Sequence, residues 1–437
     1  MVSDMITEMD TNRFVTYSLH DASILRILAA ALEAVDPFAA VQKHLPNLDG
    51  QVYGLSLGKA ALPMLDALSS QISLTDALAV TKFTDDSANR SYRVLKGGHP
   101  VPDERSVQAG HKVLDFVKNL GADDTLVCLI SGGASALVST PVEGVSLADL
   151  QALTSHLLAS GARIDEINTI RRHLDQVKGG GLARATSARI LSLILSDVID
   201  SPLEVIASGP TAPDPTTKAD ALKVLENFVS KFERTGLLQR CFELLNDAAL
   251  SETLKPGDAI LKRVENRIIG DNALAAQAAQ RQAQTKGFEC EVLTNSLQGE
   301  ARQVGRDLAT RLRIETQHRS RPFCLIAGGE TTVTLRGAGK GGRNQELALG
   351  AVEEMSGLED GMLIALATDG DDGPTDAAGA VVTGQTLARA HALNLDPQAY
   401  LGANDAYPFF SALNDLLKTG SSGTNVNDLN FLFGNLS

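Results

Sequence analysis

The sequence predicts an α/β protein built on a doubly wound sheet, because short apolar runs alternate with helical patterns along most of the chain. The runs Val52–Leu57, Thr125–Ile130 and Arg189–Leu195 are apolar enough to be buried on both faces, which is typical of parallel strands joined by crossover helices. Each run ends in a cluster of Gly, Ser, Lys or Asp residues. Open α/β sheets bind ligands outside the carboxyl ends of their strands, so we expect function at these clusters.

A second strand–helix–strand set is predicted from about Asn266 onward. Strands are expected over residues 266–270, 290–293, 323–327 and 362–367, with Asp271 capping the first helix of the set. Residues 331–335 alternate polar and apolar side chains, the pattern of a half-exposed antiparallel strand. The polar stretch 251–258 lies between the two sets and predicts a larger domain over residues 1–250 and a smaller one over residues 251–417.

The composition excludes several classes of partner. The 437 residues include 39 Lys and Arg against 53 Asp and Glu, a formal charge of −14, so no broad basic surface for nucleic acid or anionic membranes is expected. The cysteines are far apart and lack metal-ligand spacing, which predicts reduced thiols rather than disulfides or zinc. No secretory signal or membrane-spanning run is recognised. We therefore expect a soluble, cytoplasmic protein, although the composition indicates no activity.

Glycine-rich turns after the predicted strands are candidates for anion binding. Gly58 and Lys59 follow the first strand, and a second turn consists of Ser131, Gly132, Gly133, Ala134 and Ser135. Backbone N–H groups exposed in such turns form cradles for anions. A tight strand-to-helix turn without a ligand, and a Lys59 that is a plain surface charge, remain the alternatives.

A glycine loop lies further along the chain, where Gly337, Gly339 and Gly342 match the letters G-x-G-x-x-G. That pattern indicates a dinucleotide site only after a buried strand, and here it follows the alternating residues 331–335. The cations Lys340 and Arg343 favour a phosphate or anion loop instead, with the helix after Arg343 pointing its N-terminus at the same place. A plain glycine turn is the third possibility.

Carboxylates also follow the predicted strands, at Asp197, Glu330 and Asp369. A Mg²⁺ site needs only one or two of them together with substrate phosphates. His99 is interpreted as a loop residue without a chemical role, and Arg171, Arg172 and Lys178 as either a solvated helix face or an anion site. Cations, backbone cradles and acidic groups together are the parts that phosphoryl transfer requires, which favours a kinase of a small polar substrate.

The chain resembles the glycerate 2-kinases, which have a large glycerate-kinase domain followed by a smaller MOFRL domain. The matching segments occur in family order over nearly the whole chain: GKAA at 58–61, GHPVPD at 98–103, SGGASAL at 131–137, KGG at 178–180, LSDV at 195–198, SGPT at 208–211, GGETT at 328–332, GRNQE at 342–346, TDG at 368–370, DGPTD at 372–376 and GTNVND at 423–428. One departure is Ser422, which stands before Gly423 where the family would have Pro.

The resemblance implies ATP- and Mg²⁺-dependent phosphorylation of D-glycerate on its 2-hydroxyl. It implies a large Rossmann-like domain, to which residues 418–437 return, a smaller domain with a mixed sheet, and an active site in the cleft between them. By position, Lys59 and Arg343 would stabilise the transferred phosphoryl group, and Asp197, Glu330 and Asp369 would position Mg²⁺ or the substrate hydroxyl. Residues 131–135 would lie near the nucleotide phosphates, and the nucleotide pocket would be lined by Ser208, Gly209, Pro210 and Thr211.

Members of the family have also been called hydroxypyruvate reductases, so an NAD(P)H-dependent reductase is the alternative activity, and a non-catalytic nucleotide-binding module is a third. A homodimer is compatible with the sequence, which does not determine the oligomeric state.

Overall fold

The computed structural model describes residues 8–82, 90–229 and 236–436. The chain divides into two compact units, each with its own sheet. We call residues 41–196 and 201–269 the parallel-sheet unit, and residues 1–40, 197–200 and 270–437 the mixed-sheet unit.

The parallel-sheet unit contains six hydrogen-bonded strands in the order β3-β2-β1-β4-β5-β6. They are β1 (Val52–Leu57), β2 (Asp76–Thr81), β3 (Arg93–Lys96), β4 (Thr125–Ile130), β5 (Arg189–Leu195) and β6 (Val264–Gly270). The pairs from β3 to β5 are all parallel, so the carboxyl ends of these strands lie at one edge. β1, β4 and β5 have the predicted bounds, because each is a continuous apolar run buried along nearly its whole length.

Helices precede β1, connect β1 to β2 and connect the strands from β3 to β6, as the crossover connections of a parallel sheet require. They are α2 (Pro37–His44), which crosses the boundary between the units at residue 40, α3 (Ala61–Gln71), α4 (Glu104–Lys118), α5 (Ala134–Leu137), α6 (Leu147–Ala159), α7 (Ile164–His173), α8 (Gly181–Arg184), α9 (Lys218–Val229) and α10 (Gly236–Asn246). The side chain of Asp103 caps α4 by accepting from the N–H groups of Arg105 and Ser106, which holds the preceding loop, residues 97–102, at the sheet edge.

The mixed-sheet unit has the strand order β11-β10-β9-β12-β8-β7. The strands are β7 (Glu289–Leu297), β8 (Phe323–Gly329), β9 (Met362–Ala367), β10 (Gly379–Thr383), β11 (Leu416–Leu417) and β12 (Asp428–Gly434). β12 is antiparallel to both β8 and β9, so β8 and β9 point the same way. All seven residues of β12 are buried, as expected of a central strand.

The helices of the mixed-sheet unit include the N-terminal α1, which packs against α11. They are α1 (Ala22–Glu33), α11 (Asn272–Thr285), α12 (Ala301–His318), α13 (Arg343–Met355), α14 (Thr386–Ala392), α15 (Pro397–Ala403) and α16 (Ala406–Leu413). As predicted, Asp271 caps α11, its side chain accepting from the N–H of Leu274 at 2.8 Å. None of the helices in the described part of the chain is both long enough and apolar enough to cross a membrane.

The structure groups several segments differently from the predicted ranges 1–250 plus 418–437 and 251–417. β6 belongs to the first sheet rather than the second, since the Asn266 side chain holds it to Thr211 by two hydrogen bonds of 2.8 and 3.1 Å. The C-terminal segment belongs to the second sheet, because β12 fills the gap between β8 and β9. Residues 8–40 also belong to that unit.

The antiparallel strand predicted over residues 331–335 was wrong. Only Thr332 forms an isolated bridge, which is parallel and pairs with Glu300. The carboxylate of Glu300 accepts from the N–H and hydroxyl of Thr334, and Leu335 is 79% exposed. The alternating pattern therefore describes a segment held against the start of α12 and not a strand.

Candidate active site

The strand order of the parallel sheet reverses between β1 and β4, and two glycine-containing turns meet at this point. The chain runs outward from β1 through β2 to β3 and then returns to β4 on the other side. Doubly wound sheets bind ligands outside the strand ends at such a reversal. The predicted turns after β1 and β4 are thus neighbours, at the place where the fold creates a crevice.

Hydrogen bonds join these two turns. The N–H of Lys59 donates to the carbonyl of Gly132 at 2.9 Å, and the N–H of Ala60 donates to the Ser131 hydroxyl at 3.0 Å. Gly58 has a φ of +126°, and a Cβ added there would lie 2.2 Å from the Ser131 hydroxyl oxygen. Only glycine fits this approach, so Gly58 serves the contact between the turns and brings Lys59 to the strand ends.

The second turn leaves consecutive backbone donors available. No acceptor within the described residues bonds the N–H groups of Gly132, Gly133, Ala134 or Ser135. Gly133, at a φ of +83°, is the residue before α5. Successive unbonded N–H groups form a concave partial positive charge that suits an anion, so this turn stays a candidate anion site.

The predicted nucleotide-pocket segment 208–211 contacts the same turn through one side chain. The hydroxyls of Ser208 and Ser135 are 2.8 Å apart. Thr211 is buried, and its hydroxyl bonds Ser192 and Asn266, while the carbonyls of Ser208, Gly209 and Pro210 accept from the loop at 179–183. Of this segment, Ser208 is therefore the residue placed beside a candidate anion site.

Lys59 and His99 both lie close to Gly133. A Cβ added to Gly133 would be 3.0 Å from the His99 ring and 3.3 Å from Cγ of Lys59. Burial lowers the pKa of His99, and the charges of Lys59 and Lys82 lower it further. Lys59 itself is exposed, without a carboxylate at ion-pair distance in the described part of the chain. The turn is thus faced by a neutral imidazole and an available ammonium group.

The cations near the end of α7 do not form a solvated helix face. Arg172 is 5% exposed, with Nε 3.1 Å from a carboxylate oxygen of buried Asp214. Lys178 is equally buried, with Nζ 2.6 Å from Asp175. Burial alone would raise the pKa of Asp175, but Lys178 and hydrogen bonds from Val177 and Ser139 keep it below its usual range. Both cations are structural partners of buried carboxylates.

A separate charged cluster lies at the strand ends of the mixed sheet. Asp428, the first residue of β12, pairs in register with Gly329 at the end of β8 and with Ala367 at the end of β9. Glu330 directly follows β8, and Asp369 follows β9 after Thr368. The antiparallel insertion of β12 therefore brings Asp428 to the edge at which the predicted carboxylates leave the sheet.

Arg343 reaches this edge from the N-terminus of α13. Its Nε is 2.5 Å from Asp428 Oδ2, its Nη2 is 3.2 Å from Oδ1, and its Nη1 is 2.5 Å from Glu330 Oε1. The Asp428 side chain is 4% exposed and that of Glu330 is 44% exposed. A bidentate pair of this kind fixes the orientation of the guanidinium, so Asp428 positions Arg343, whereas Glu330 is an exposed second partner.

Burial and charge have opposite effects on these groups. Burial alone would lower the pKa of Arg343, but Asp428, Glu330 and Asp372 raise it above its usual value. Burial raises the pKa of Asp428 despite the opposing effect of Arg343. Burial also raises the pKa of Asp372 to about 7, against N–H donors from Asn344 and Gln345 at the start of α13. Arg343 thus keeps its charge in a partly desolvated setting.

The predicted metal ligands do not form a complete cage. No group of three His, Cys, Asp or Glu side chains in the described ranges could hold a metal ion by itself. Asp369 is half-buried and accepts from the N–H of Asp371 at 3.2 Å, and Asp197 belongs to the short segment 197–200 after β5. The residues therefore fit Mg²⁺ only in the form that shares one or two carboxylates with phosphate oxygens.

Several backbone N–H groups of the glycine loop before α13 are hydrogen-bonded to acceptors within the protein. The N–H groups of Arg336 and Gly337 donate to the Asn404 side chain, that of Gly339 to the carbonyl of Ala403, and that of Lys340 to Asp405. The loop follows no strand, so the dinucleotide interpretation is wrong. The glycines allow close packing against the end of α15. The N–H groups of Gly341, Gly342 and Arg343 have no acceptor among the described residues, so the anion-loop interpretation stays a prediction for this end of the loop.

Sequence reasoning missed Asp428 and Asp372 as parts of this cluster. Both lie inside segments that resemble the family, but neither follows a predicted strand. For Asp428 the available signal was its place directly before the mainly apolar residues 429–433, interrupted by Asn430, which would have identified β12 and placed Asp428 at its start.

Comparison with known proteins identifies the family to which the chain is similar. Two family models match the chain: a domain of unknown function (DUF4147) over residues 23–236, and the MOFRL family over residues 323–428. The D-glycerate 2-kinase of Thermotoga maritima is 43% identical over 414 residues, covering 93% of this chain and 96% of the relative. A protein named putative hydroxypyruvate reductase from Agrobacterium vitis is 38% identical, covering 92% of each chain.

A solved structure of similar shape is the crystal structure of a glycerate kinase from Thermotoga maritima. It superimposes with a TM-score of 0.86 at 42% identity, covering 93% of this chain and 97% of that one. The similarity thus extends over nearly the full length of both chains. The chain belongs to the glycerate 2-kinase family.

Proposed function

We propose that this protein transfers the γ-phosphoryl group of ATP to the 2-hydroxyl of D-glycerate and so forms 2-phosphoglycerate. The observation that carries the proposal is Arg343, a permanently charged group held by Asp428 at the strand ends of the mixed sheet, with its remaining face toward the exposed Glu330. Its charge, orientation and accessibility suit a transferring phosphoryl group, in which charge spreads over the equatorial oxygens.

Lys59 and Arg343 are proposed to stabilise that charge. Lys59 is an exposed ammonium beside a turn with unbonded N–H groups, and Arg343 donates to an exposed carboxylate that can exchange with a phosphate oxygen. Fixed cations aimed at developing charge lower the barrier more than mobile surface charges do. In this scheme Asp428 is a positioning residue, because it acts through Arg343.

Asp197, Glu330 and Asp369 are proposed to hold Mg²⁺ or to accept the proton of the 2-hydroxyl. When bound, Mg²⁺ would neutralise charge on the nucleotide phosphates. A carboxylate that is only half-buried, such as Asp369, can take either role. The nucleotide phosphates are assigned to residues 131–135, because the N–H groups of residues 132–135 have no protein acceptor among the described residues. The cytoplasmic location and a homodimer stay predictions.

Product analysis tests the proposal directly. Purified protein with D-glycerate, ATP and Mg²⁺ should form 2-phosphoglycerate, identified by ³¹P and ¹H NMR from the phosphorylated carbon. Formation of 3-phosphoglycerate would retain the kinase class and contradict the site of transfer. ATP binding without turnover of any hydroxy acid would support a binding module instead.

A hydroxypyruvate reductase is the second candidate, favoured by the name of the Agrobacterium vitis relative. Its sequence support was the glycine loop at 337–342, in which the N–H groups of Gly337, Gly339 and Lys340 are bound by Asn404, Ala403 and Asp405. Mixing the protein with hydroxypyruvate and NADH or NADPH and following the absorbance at the nicotinamide band decides the matter. Oxidation of the reduced cofactor without ATP turnover would overturn the kinase proposal.

A further inference from the structure

A cavity of about 460 Å³ lies within the parallel-sheet unit beside the turn after β4. Gly133 and Ser135 of that turn line it, together with residues of the 99–102 loop and of α6 and α7. Its volume is in the range of pockets that enclose drug-sized ligands, roughly 300–1,000 Å³. None of the roles assigned above involves this volume beyond its border with the turn.

One part of the cavity is apolar and exposed to solvent. Val101 and Leu158 both line it, and they are 60% and 58% exposed. Leu147, Leu150 and Pro102 continue the same lining. Exposed aliphatic side chains that converge on one cavity are unfavourable in water and are typical of a site for an apolar ligand group.

The cavity also contains a cation that lacks a counter-ion. Arg171 lines it, and its only hydrogen bond to a described residue joins Nε to the Thr154 hydroxyl at 3.3 Å. No carboxylate in the described ranges is at ion-pair distance, and burial lowers the pKa of Arg171. Its neighbours Arg172 and Lys178, in contrast, have buried carboxylate partners. A partly desolvated, unpaired guanidinium is stabilised when an anion binds.

An apolar wall beside an unpaired arginine fits one of the two substrates of a kinase reaction better than the other. A three-carbon hydroxy acid has a carboxylate for Arg171, but it has no apolar face to cover Val101 and Leu158. A purine nucleotide has a flat base for an aliphatic wall and phosphates for a guanidinium. The cavity also reaches Gly133, beside which the Lys59 side chain lies.

We propose that this cavity binds the nucleotide co-substrate, with the base against Val101 and Leu158 and a phosphate group on Arg171. The proposal rests on the kinase function proposed above, and it adds the residues that hold the non-reacting part of the nucleotide. Arg171 is then a binding residue, since it touches the nucleotide away from the transferred group.

Binding of a non-hydrolysable ATP analogue, measured by isothermal titration calorimetry without glycerate, tests this assignment. Arg171→Gln should weaken binding by roughly 10-fold or more, as expected for the loss of a charged hydrogen bond. Leu158→Asp should weaken it similarly, because a carboxylate then faces the base and the phosphates. Matched controls are Arg163→Gln, at an exposed arginine just before α7, and Leu393→Asp, at an exposed leucine of the mixed-sheet unit. Both should leave the dissociation constant unchanged.

Each outcome decides between the two proposals. Variants with unchanged melting temperature and weaker analogue binding support the nucleotide site, even if wild-type protein fails to phosphorylate glycerate, which would overturn only the proposed function. Unchanged analogue binding in both variants, or a wild-type protein that binds no nucleotide, overturns the nucleotide site. A raised KM for glycerate with unchanged analogue binding assigns the cavity to the hydroxy acid instead.

Discussion

Replacing Arg343 by Gln is the substitution that most directly probes the mixed-sheet cluster. The change removes the positive charge, the two hydrogen bonds that the guanidinium donates to Asp428 and the one that it donates to Glu330. If the charge stabilises the transferred phosphoryl group, kcat should fall roughly 100-fold or more, as for other electrostatic stabilisers.

The same substitution should also lower the free energy of unfolding, and the burial of Asp428 allows the size of this loss to be estimated. Asp428 is 4% exposed, so without Arg343 it becomes a buried carboxylate with no cation. Breaking a buried ion pair in this way costs about 3–5 kcal/mol. Burial already raises the pKa of Asp428, so protonation relieves part of the cost and we expect the lower end. A loss of about 3 kcal/mol corresponds to a fall in Tm of roughly 6–12 °C for a domain of this size.

A double-mutant cycle separates the structural effect from the catalytic one. Asp428→Asn in the Arg343→Gln background replaces the uncompensated carboxylate by a neutral amide, and we expect it to restore about 1 kcal/mol or more. It does not restore the cation, so kcat should stay low. Asp428→Asn alone keeps Arg343 but loosens its orientation, which predicts a smaller loss of kcat than Arg343→Gln produces.

The assay is single-turnover and steady-state phosphorylation of glycerate, measured beside thermal unfolding for all four proteins. The reasoning fails if the double variant recovers both Tm and kcat, because Arg343 would then act only as a counter-ion for Asp428. It also fails if Arg343→Gln is folded, with Tm lowered as expected, yet turns over at nearly the wild-type rate.

The remaining predictions concern the parallel-sheet unit. Lys59→Met should lower kcat roughly 100-fold while Tm hardly changes, since Lys59 is exposed; Lys286→Met at another exposed lysine is the control, and normal turnover of Lys59→Met would return Lys59 to a surface charge. In the same variant the pKa of His99, lowered by burial and by Lys59, should rise toward its usual value in an NMR titration, and a constant pKa would show that Lys59 does not face His99. Because the unfolded state binds the His99 proton more readily, wild-type stability should fall as the pH drops below about 6.5. Gly58→Ala should lower Tm more than Gly257→Ala, since both have positive φ but only an alanine at Gly58 would clash; equal losses would show that strain alone matters.

Several features of the fold could be predicted from the sequence because they depend on neighbouring residues. The bounds of β1, β4, β5 and β9 follow from continuous apolar runs, since a strand buried on both faces needs no partner to be recognised. The turns at Gly58 and Ser131 and the acids Glu330 and Asp369 follow directly from those strand ends. The candidate residues Lys59 and Arg343 were found for the same reason, each standing next to a local pattern.

Pairing between residues that are distant in sequence determines which of the two units a segment joins. Nothing local indicates that Asp428 would lie beside Gly329 and Ala367, or that the N-terminal residues would pack with the second sheet. The side chains of Asn404 and Asp405 likewise accept from backbone N–H groups of the glycine loop, so these groups are not available to a ligand. The sequence by itself determined which residue types stand at the strand ends, because strand formation is local. Only the tertiary structure decided which of them carry a partner, because burial and ion pairing join positions that are distant in the chain, such as Arg343 and Asp428, which are 85 residues apart.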